Sequence, residues 1–236
     1  MRIHRFYLKK TPEETEGTPD LTILDQDLIH QWRSVLRFTP GDAAELFTQQ
    51  GVVYSVKLIE LTKKISTWKI TQITKKDITE PSVSLHMSVI KKDNFELVTQ
   101  KVTEIGVAEI VPVLSSRTQH KILNYDRLSK IVIEATEQSG GVKPPNIEEV
   151  LTLEEALKRA QKRNQNIVVC EFEGVALENF EKKNDVHTAL FIGPEGGWSE
   201  YDQAIFEKFP VTKVSLGEKV LRAETAAIIG VWEFRK

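Results

Sequence analysis

The sequence predicts an α/β protein in which a small β-barrel-like domain precedes a larger α/β domain. Two observations lead to this prediction. Residues 1–76 contain short runs rich in β-branched and aromatic side chains, separated by turn residues, which is typical of strands. From Val83 onward, apolar strand-like runs alternate with segments of helical character, which indicates a largely parallel sheet with helices on its faces.

The N-terminal part should contain several strands and one short helix. Gly41 with Asp42, and Gln50 with Gly51, supply turn chemistry between strands. Residues 75–82 are polar and break both periodicities, so we place a boundary there and expect domains at residues 1–76 and 83–236. The predicted strands are residues 3–8, 44–47, 52–61 and 67–74, and the predicted helix is residues 25–35.

In the second domain, helix starts are marked by capping patterns. Asp93 with Glu96, and Thr152 with Glu155, form the spacing of a capping box, and Ser199 precedes acidic residues that suit a helix N-terminus. Helices should occupy the intervals between strands. The predicted strands are residues 83–90, 109–114, 166–171, 188–192 and 211–215.

Composition restricts the class of protein. Of the 236 residues, 40% are hydrophobic and 28% charged, which is ordinary for a globular chain with a sizeable core. The longest apolar runs are far shorter than the roughly 18 residues of a membrane span, and the N-terminus lacks a secretory stretch, so we expect a soluble cytoplasmic protein with no membrane partner. Cys170 is the only cysteine; its apolar setting predicts a buried small side chain rather than a catalytic thiol.

The net charge of −2 does not favour nucleic-acid binding by the protein as a whole. An RNA site would have to be a local basic patch. The five histidines lack the spacing of zinc ligands, and we expect no metal. Basic residues cluster in three places, which are Arg2 to Lys10, Arg33 with Arg37, and Lys91 with Lys92.

The most informative segment is a glycine-rich turn between a strand and a helix start. Glycines permit positive φ and let a ligand approach the backbone, and in open α/β sheets ligands lie beyond the carboxyl ends of strands. A tight turn without a ligand remains the alternative. The segment matches neither a phosphate-binding loop nor the dinucleotide fingerprint. It has the sequence Phe191-Ile192-Gly193-Pro194-Glu195-Gly196-Gly197-Trp198-Ser199.

A second loop, residues 216–227, also follows a strand and leads into an apolar helix. Glu224 and Thr225 are explained as first-turn and capping residues of that helix. Arg222 gains nothing from the helix dipole there, which favours an anionic partner or substrate. In a third segment, residues 134–141, Glu137 and Gln138 are candidates for a polar contact before the helix-ending glycines.

Taken together in order and spacing, these segments resemble the 16S ribosomal RNA uracil N3-methyltransferases of the SPOUT superfamily. The resemblance runs almost from end to end. One departure is that Gly140 and Gly141 stand where that family usually has an arginine, with Lys143 the nearest cation. The segments that carry the resemblance are residues 2–7, 30–42, 96–107, 116–117, 134–139, 193–197 and 216–226.

The resemblance implies a PUA-like barrel that helps hold RNA, a second domain with a deep trefoil knot, and a homodimer. It implies S-adenosylmethionine as cofactor, S-adenosylhomocysteine as product, and N3 of a specific uridine in 16S rRNA as target, within an assembled small ribosomal subunit. The cofactor-binding residues would be Leu190, Ile192, Gly193, Glu195, Gly196, Gly197, Leu216, Leu221, Arg222 and Ala223.

For catalysis, we expect Arg222 to stabilise negative charge on the uracil oxygens and Glu195 to act as general base or cofactor contact, with a structural role of Glu195 left open. Two other functions stay open: a non-catalytic RNA-binding or ribosome-assembly protein, and a nucleotide-dependent α/β enzyme unrelated to RNA. RNA contacts are expected from Arg2, Arg5, Arg33, Arg37, Lys91 and Lys143.

Overall fold

A computed structural model of the chain describes residues 3–9, 20–76, 82–119, 122–181 and 186–235. The chain divides into two compact units. The first comprises Met1–Thr79 and Thr136–Pro144, and the second comprises Glu80–Ala135 and Pro145–Lys236. The segment Thr136–Pro144, which the sequence assigned to the second domain, therefore groups with the first unit. Arg2 and Pro81 lie outside the described residues.

The first unit is built on a mixed five-stranded sheet. The strand order is β1-β3-β4-β5-β2, with β1 parallel to β3 and the other pairs antiparallel. Register shifts between β4 and β5 mark bulges, which bend a long hairpin and suit a barrel-like sheet. The strands are β1 (His4–Leu8), β2 (Asp20–Ile23), β3 (Ala43–Thr48), β4 (Val52–Leu61) and β5 (Ser66–Lys75).

The predicted N-terminal helix has two parts. An α-helix, α1 (Gln26–His30), is capped by Asp25 and continues as a π-helix over Gln31–Val35. The π-helix places Trp32 in the core, where its ring meets Trp68 with centroids 4.9 Å apart. Strand β2 was not predicted, because a four-residue strand is too short to show a periodic pattern.

The second unit contains a sheet whose strands all run parallel. The order is β12-β10-β11-β6-β7-β8, and β9 also pairs with β7. The loops that follow the strands therefore leave at the same edge of the sheet. The strands are β6 (Val83–Ser88), β7 (Glu109–Leu114), β8 (Asn146–Ile147), β9 (Leu151–Thr152), β10 (Asn166–Ala176), β11 (Thr188–Ile192) and β12 (Val211–Ser215).

Helices cover both faces of this sheet. On β11, Leu190 and Ile192 join one buried apolar cluster while Ala189 and Phe191 join another, because successive side chains of a strand point to opposite faces. α2, α3 and α6 supply the first cluster, and α4 and α5 supply the second. The helices are α2 (Lys92–Ile105), α3 (Tyr125–Ser139), α4 (Leu153–Lys162), α5 (Glu200–Phe206) and α6 (Ala223–Phe234). The trefoil knot implied by the resemblance stays a prediction.

Two of the three predicted helix starts are capped as expected. Thr152 with Glu155 closes a capping box at α4, and Ser199 with Asp202 closes one at α5. The expected cap of α2 by Asp93 is wrong. Lys91 is the N-cap of α2 and makes no side-chain cap hydrogen bond, while Asp93 lies in the first turn, where its charge suits the helix dipole.

A histidine is fully buried within the parallel sheet. The ring of His86 stacks on Phe191, with centroids 4.4 Å apart, and its Nε2 lies 3.4 Å from Ser84 Oγ. Burial, together with the nearby charges of Arg159 and Arg163, lowers the pKa of His86 to about 3. The imidazole is therefore neutral in the folded protein throughout the physiological range.

This burial predicts a loss of stability in acid. In the unfolded chain the imidazole binds a proton near pH 6.5 but in the folded chain only near pH 3, so stability should fall as pH decreases between these values, by up to about 1.4 kcal/mol per pH unit. Urea unfolding of the second unit between pH 7 and pH 4 measures the slope. His86→Phe should flatten it and His30→Ala, at an exposed site, should not; equal slopes for His86→Phe and the unaltered chain would refute the assignment.

Candidate functional site

A cavity of about 690 Å³ opens at the carboxyl edge of the parallel sheet. Its walls come from part of β10 itself and from the ends of the neighbouring strands β11 and β12 with the segments that follow them, with Asn94 added from α2. This is the edge where open α/β sheets bind ligands, and the volume is that of a site for a small organic molecule.

The wall after β11 is the predicted glycine-rich turn. Gly197 adopts a φ of +66°, and its N–H donates to the carbonyl oxygen of Pro194 at 2.9 Å, which closes the turn. Trp198 holds the turn against the sheet and α5. Its Nε1 donates to the Cys170 carbonyl at 3.2 Å, and its ring packs on Phe206. The turn then enters the capping box at Ser199.

Glu195 of this turn lines the cavity and contacts the start of α2. The backbone N–H of Lys91 donates to Glu195 Oε1 at 3.3 Å. Because α2 has no side-chain cap of its own, the carboxylate provides an acceptor and a favourable charge at the positive end of that helix. Glu195 therefore ties the glycine turn to α2, which is the structural role that the sequence left open.

The wall after β12 carries Arg222. Arg222 is the N-cap residue of α6, makes no side-chain cap hydrogen bond, and is 86% exposed in its side chain. Its Nη1 lies 3.9 Å from Glu224 Oε1, a separation at which an exposed pair contributes little stability. Arg222 lines the cavity, and within the described part of the chain this weak pair is its one ion pair.

The wall that a bulge within β10 contributes was not predicted. Cys170 and Val175 both pair with Val214 of β12, so the residues between them bulge out of the sheet and bring Glu171, Phe172 and Glu173 to the cavity. Within the sequence, a glycine inside an apolar strand pattern was the sign that could have indicated this bulge.

Two contacts hold the bulge in place. A Cβ on Gly174 would lie 2.6 Å from the backbone nitrogen of Val214, so only glycine permits this approach of the two strands. Glu171 forms an ion pair of 3.2 Å with Lys213 and also accepts a hydrogen bond from Gln203. Phe172 is left 54% exposed at the cavity.

Cys170 lies at the base of the bulge, and it is half-buried rather than fully buried as the sequence predicted. Burial raises the pKa of its thiol to about 12. The thiol is therefore protonated at neutral pH and is a poor nucleophile, although it lines the cavity.

Most of the residues predicted to bind a cofactor line this cavity. Two do not. Leu190 is fully buried, with its side chain packed against Gly230 of α6, and the carbonyl of Gly196 accepts a hydrogen bond from Arg117 instead. The residues that line it are Ile192, Gly193, Glu195, Gly197, Leu216, Leu221, Arg222 and Ala223.

The predicted RNA-contact residues of the first unit differ in exposure. Arg33 and Arg37 are exposed, and Arg37 takes a φ of +56°, which is uncommon for a residue with a side chain. The expectation that Arg5 belongs to an exposed basic face is wrong. Its side chain is only 12% exposed, because it pairs with Glu45 at 3.0 Å and stacks over Phe47.

The remaining predicted contacts lie elsewhere. Lys91 is exposed at the N-cap of α2 in the second unit, and Lys143 is half-buried in the first unit. Glu137, expected to make a polar contact, accepts the backbone N–H of Tyr7 at 2.9 Å within the first unit. Within the described ranges, no group of three or more His, Cys, Asp or Glu side chains could hold a metal ion, and no helix could span a membrane.

Comparison with known proteins identifies the family. Residues 79–231 match the model of the RNA methyltransferase domain. The chain belongs to the RNA methyltransferase domain family. A Rickettsia conorii relative, ribosomal RNA small subunit methyltransferase E, is 28% identical over 100% of this chain and 96% of its own.

Solved structures agree with this family and with the predicted α/β fold. The ribosomal RNA small subunit methyltransferase E of Neisseria gonorrhoeae, bound to S-adenosyl methionine, superposes with a TM-score of 0.84 at 25% identity, covering 98% of this chain and 95% of that chain. A Legionella pneumophila methyltransferase with bound cofactor SAM gives a TM-score of 0.85 at 26% identity, covering 98% and 96%. The methyltransferase family and fold predicted from the sequence are confirmed.

The bulge of β10 predicts that Gly174 is needed for stability. Gly174→Ala should push β10 from β12 and lower the free energy of unfolding by about 1–3 kcal/mol, the scale of overpacking a core. Gly196→Ala is the matched control, since its Cβ would meet only the Arg117 side chain, at 3.4 Å, and its φ is not positive. Thermal unfolding measures both; equal melting temperatures would contradict the close approach.

Proposed function

We propose that this chain transfers a methyl group from S-adenosylmethionine to N3 of a specific uridine in the 16S rRNA of the small ribosomal subunit. The observation that carries the proposal is the cavity formed at the carboxyl edge by three neighbouring strands, β10, β11 and β12, and the loops beside them, in a chain of the RNA methyltransferase domain family. The relative and the structures named above support the cofactor and the class of RNA.

The cavity lining suits S-adenosylmethionine in shape and charge. Ile192, Leu216 and Leu221 offer apolar surface for an adenine ring, and the glycine turn exposes backbone polar groups to its edge. The acidic side chains at the cavity, such as Glu195, suit the cationic sulfonium and amino groups, and Arg222 suits the carboxylate or the substrate. When bound, the cofactor would supply an electrophilic methyl group.

The residues of this chain would prepare the uracil for methylation. The N3 atom carries a proton at neutral pH, so the site must help to remove it and to stabilise charge on the adjoining carbonyl oxygens. We assign charge stabilisation to Arg222, whose planar guanidinium can donate to two acceptors at once. Glu195 is our candidate for the proton acceptor, because it lines the cavity and, among the described residues, its one hydrogen bond is from Lys91 to Oε1.

RNA recognition would involve both units. N3 lies in the Watson-Crick edge, so the target should be unpaired or extruded when it reacts. We propose that Arg33 and Arg37 contact phosphates, since both are exposed on the segment that includes the π-helix, a form often found at functional sites. Lys91 and Lys143 are further candidates, with Lys143 able to replace the family arginine only as a point charge.

We also propose a homodimer that acts on small ribosomal subunits in the cytoplasm. On α6, Trp232 is 50% exposed and Ile229 is partly exposed, although the helix is strongly apolar. Exposed apolar side chains grouped on one helix are typical of a protein interface. Sedimentation at micromolar concentration would measure the oligomeric state.

Two measurements test the proposed function. Calorimetry should show one S-adenosylmethionine bound per chain, and mass spectrometry of rRNA from cells lacking the protein should show loss of 3-methyluridine. Cofactor binding without loss of any methylated base would favour a non-catalytic RNA-binding protein. Binding of a nucleotide instead of S-adenosylmethionine would favour an unrelated nucleotide-dependent enzyme.

Arg222 should matter for turnover rather than for folding. Arg222→Lys keeps the charge but loses the planar fork, so methylation should fall by roughly 100-fold, the scale for losing one oxyanion-stabilising donor. The melting temperature should barely change because the side chain is 86% exposed. A normal methylation rate in the Lys variant, or a loss of activity caused by unfolding, would remove Arg222 from the catalytic site.

Arg33 and Arg37 should bind RNA through charge. The double variant Arg33→Ala with Arg37→Ala should weaken RNA binding and reduce the slope of log affinity against log salt by about one unit per lost phosphate contact. Cofactor affinity should stay the same. Lys63→Ala with Lys64→Ala removes equal charge from an exposed turn of the same unit and serves as control. If both double variants show the same slope, the RNA-binding face lies elsewhere.

A further inference from the structure

A loop after β7 carries an exposed arginine to the rim of the cavity. Arg117 Nη1 donates to the carbonyl oxygen of Gly196 at 2.6 Å. Its Cδ would lie 3.4 Å from a Cβ placed on Gly196, so the aliphatic part of the side chain also packs on the glycine turn. Gly196 stands between Glu195 and Gly197, which both line the cavity. The guanidinium therefore lies next to the site without forming its wall.

The sheet side of this loop is held by hydroxyl groups. Ser115 N–H donates to Thr118 Oγ1 at 3.0 Å, and the two hydroxyl oxygens also lie 3.0 Å apart. Ser88, the last residue of β6, donates to Ser115 Oγ at 3.1 Å. Ser88, Ser115 and Thr118 are all buried, so these bonds fix the start of the loop against the sheet.

The helix side of the loop is held by a carboxylate. Asp202 is 1% exposed and accepts from both the backbone N–H and the hydroxyl of Ser116, at 3.0 and 2.8 Å. Burial alone would raise the pKa of Asp202, but hydrogen bonds from Ser199 and Ser116 outweigh burial and lower that pKa. The same carboxylate closes the capping box of α5. Arg117 therefore lies between Ser116 and Thr118, which are both held in place by hydrogen bonds.

Arg117 has no acidic partner that would explain this arrangement. Within the part of the chain that the structure describes, no carboxylate lies within ion-pair distance of it, whereas Arg127 pairs with Glu96 at 3.3 Å and Arg163 pairs with Glu109 at 2.7 Å. The one hydrogen bond that the structure describes for the Arg117 side chain uses Nη1. The N–H groups of Nη2 and Nε therefore remain available as donors. A guanidinium on a fixed loop with free donors suits a planar or anionic oxygen acceptor.

We propose that Arg117 contacts the RNA substrate, donating to an oxygen of the target nucleotide at the mouth of the cavity. This inference rests on the proposed function and adds a substrate-contact residue to it. The acceptor is a uracil carbonyl or the phosphate of the same nucleotide, since both present oxygen acceptors to a guanidinium fork. The loop bonds mean that this donor is positioned before the RNA arrives, which lowers the ordering cost of binding.

The test compares Arg117→Ala and Arg117→Lys with Arg127→Ala, which removes an exposed and ion-paired cation of the same unit. Calorimetry with S-adenosylmethionine measures cofactor affinity. Small ribosomal subunits from cells lacking this protein serve for RNA affinity at several salt concentrations and for single-turnover methylation. We expect Arg117→Ala to keep cofactor affinity within about twofold and to lower methylation at least tenfold at limiting RNA, while Arg127→Ala behaves like the unaltered chain.

The two acceptors give different results. A phosphate contact predicts weaker RNA binding, a salt slope smaller by about one, and substantial rescue by Arg117→Lys. A carbonyl contact predicts nearly unchanged affinity, a slower single-turnover rate at saturating RNA, and little rescue by Lys.

Two outcomes would overturn the inference while the proposed function stands. One is normal RNA affinity and methylation in Arg117→Ala. The other is a loss of cofactor affinity that accounts for the whole loss of methylation, which would make Arg117 only a support for the Gly196 carbonyl. Failure of the unaltered chain to bind S-adenosylmethionine would instead overturn the proposed function, and this inference with it.

Discussion

The arrangement of the second unit depends on burying both faces of an all-parallel sheet. Parallel strands need crossover connections, and the helices in those connections cover the faces. As a consequence, the segments after β7, β10, β11 and β12 all leave at one edge. Residues far apart in the sequence, such as Arg117 and Arg222, therefore lie at the same edge of the sheet.

The shape of the cavity at that edge depends on close backbone approaches and on buried hydrogen bonds more than on large side chains. Gly174 lets β10 approach β12 closely, and Asp202 joins the loop after β7 to the start of α5. Buried carboxylates and hydroxyls with full sets of hydrogen bonds specify one geometry, because any alternative would leave them unsatisfied. A cavity formed in this way is largely shaped before a ligand enters it.

Positive charge is concentrated at particular arginines in both units. The chain carries a net charge of −2, yet Arg33, Arg37, Arg117 and Arg222 are exposed. Elsewhere cations are neutralised by neighbours: Arg159 and Arg163 pair with Glu109, and Arg5 pairs with Glu45. Within the described residues, Arg33, Arg37 and Arg117 have no acidic side chain at ion-pair distance, and Arg222 has only the weak 3.9 Å pair with Glu224.

The sequence by itself determined five of the seven strands of the second unit and their alternation with helices, since periodicity and capping residues are local properties, but the two-residue strands β8 and β9 are too short to show a period. Strands β7, β11 and β12 begin and end where predicted, and the glycine turn and Arg222 were identified as site residues. Only the tertiary structure decided that Phe172 faces the cavity, that Arg5 is paired with Glu45 and mostly covered, and that Arg117 reaches Gly196. Each of these depends on which strands lie side by side, and pairing between distant segments leaves no periodic trace in the chain.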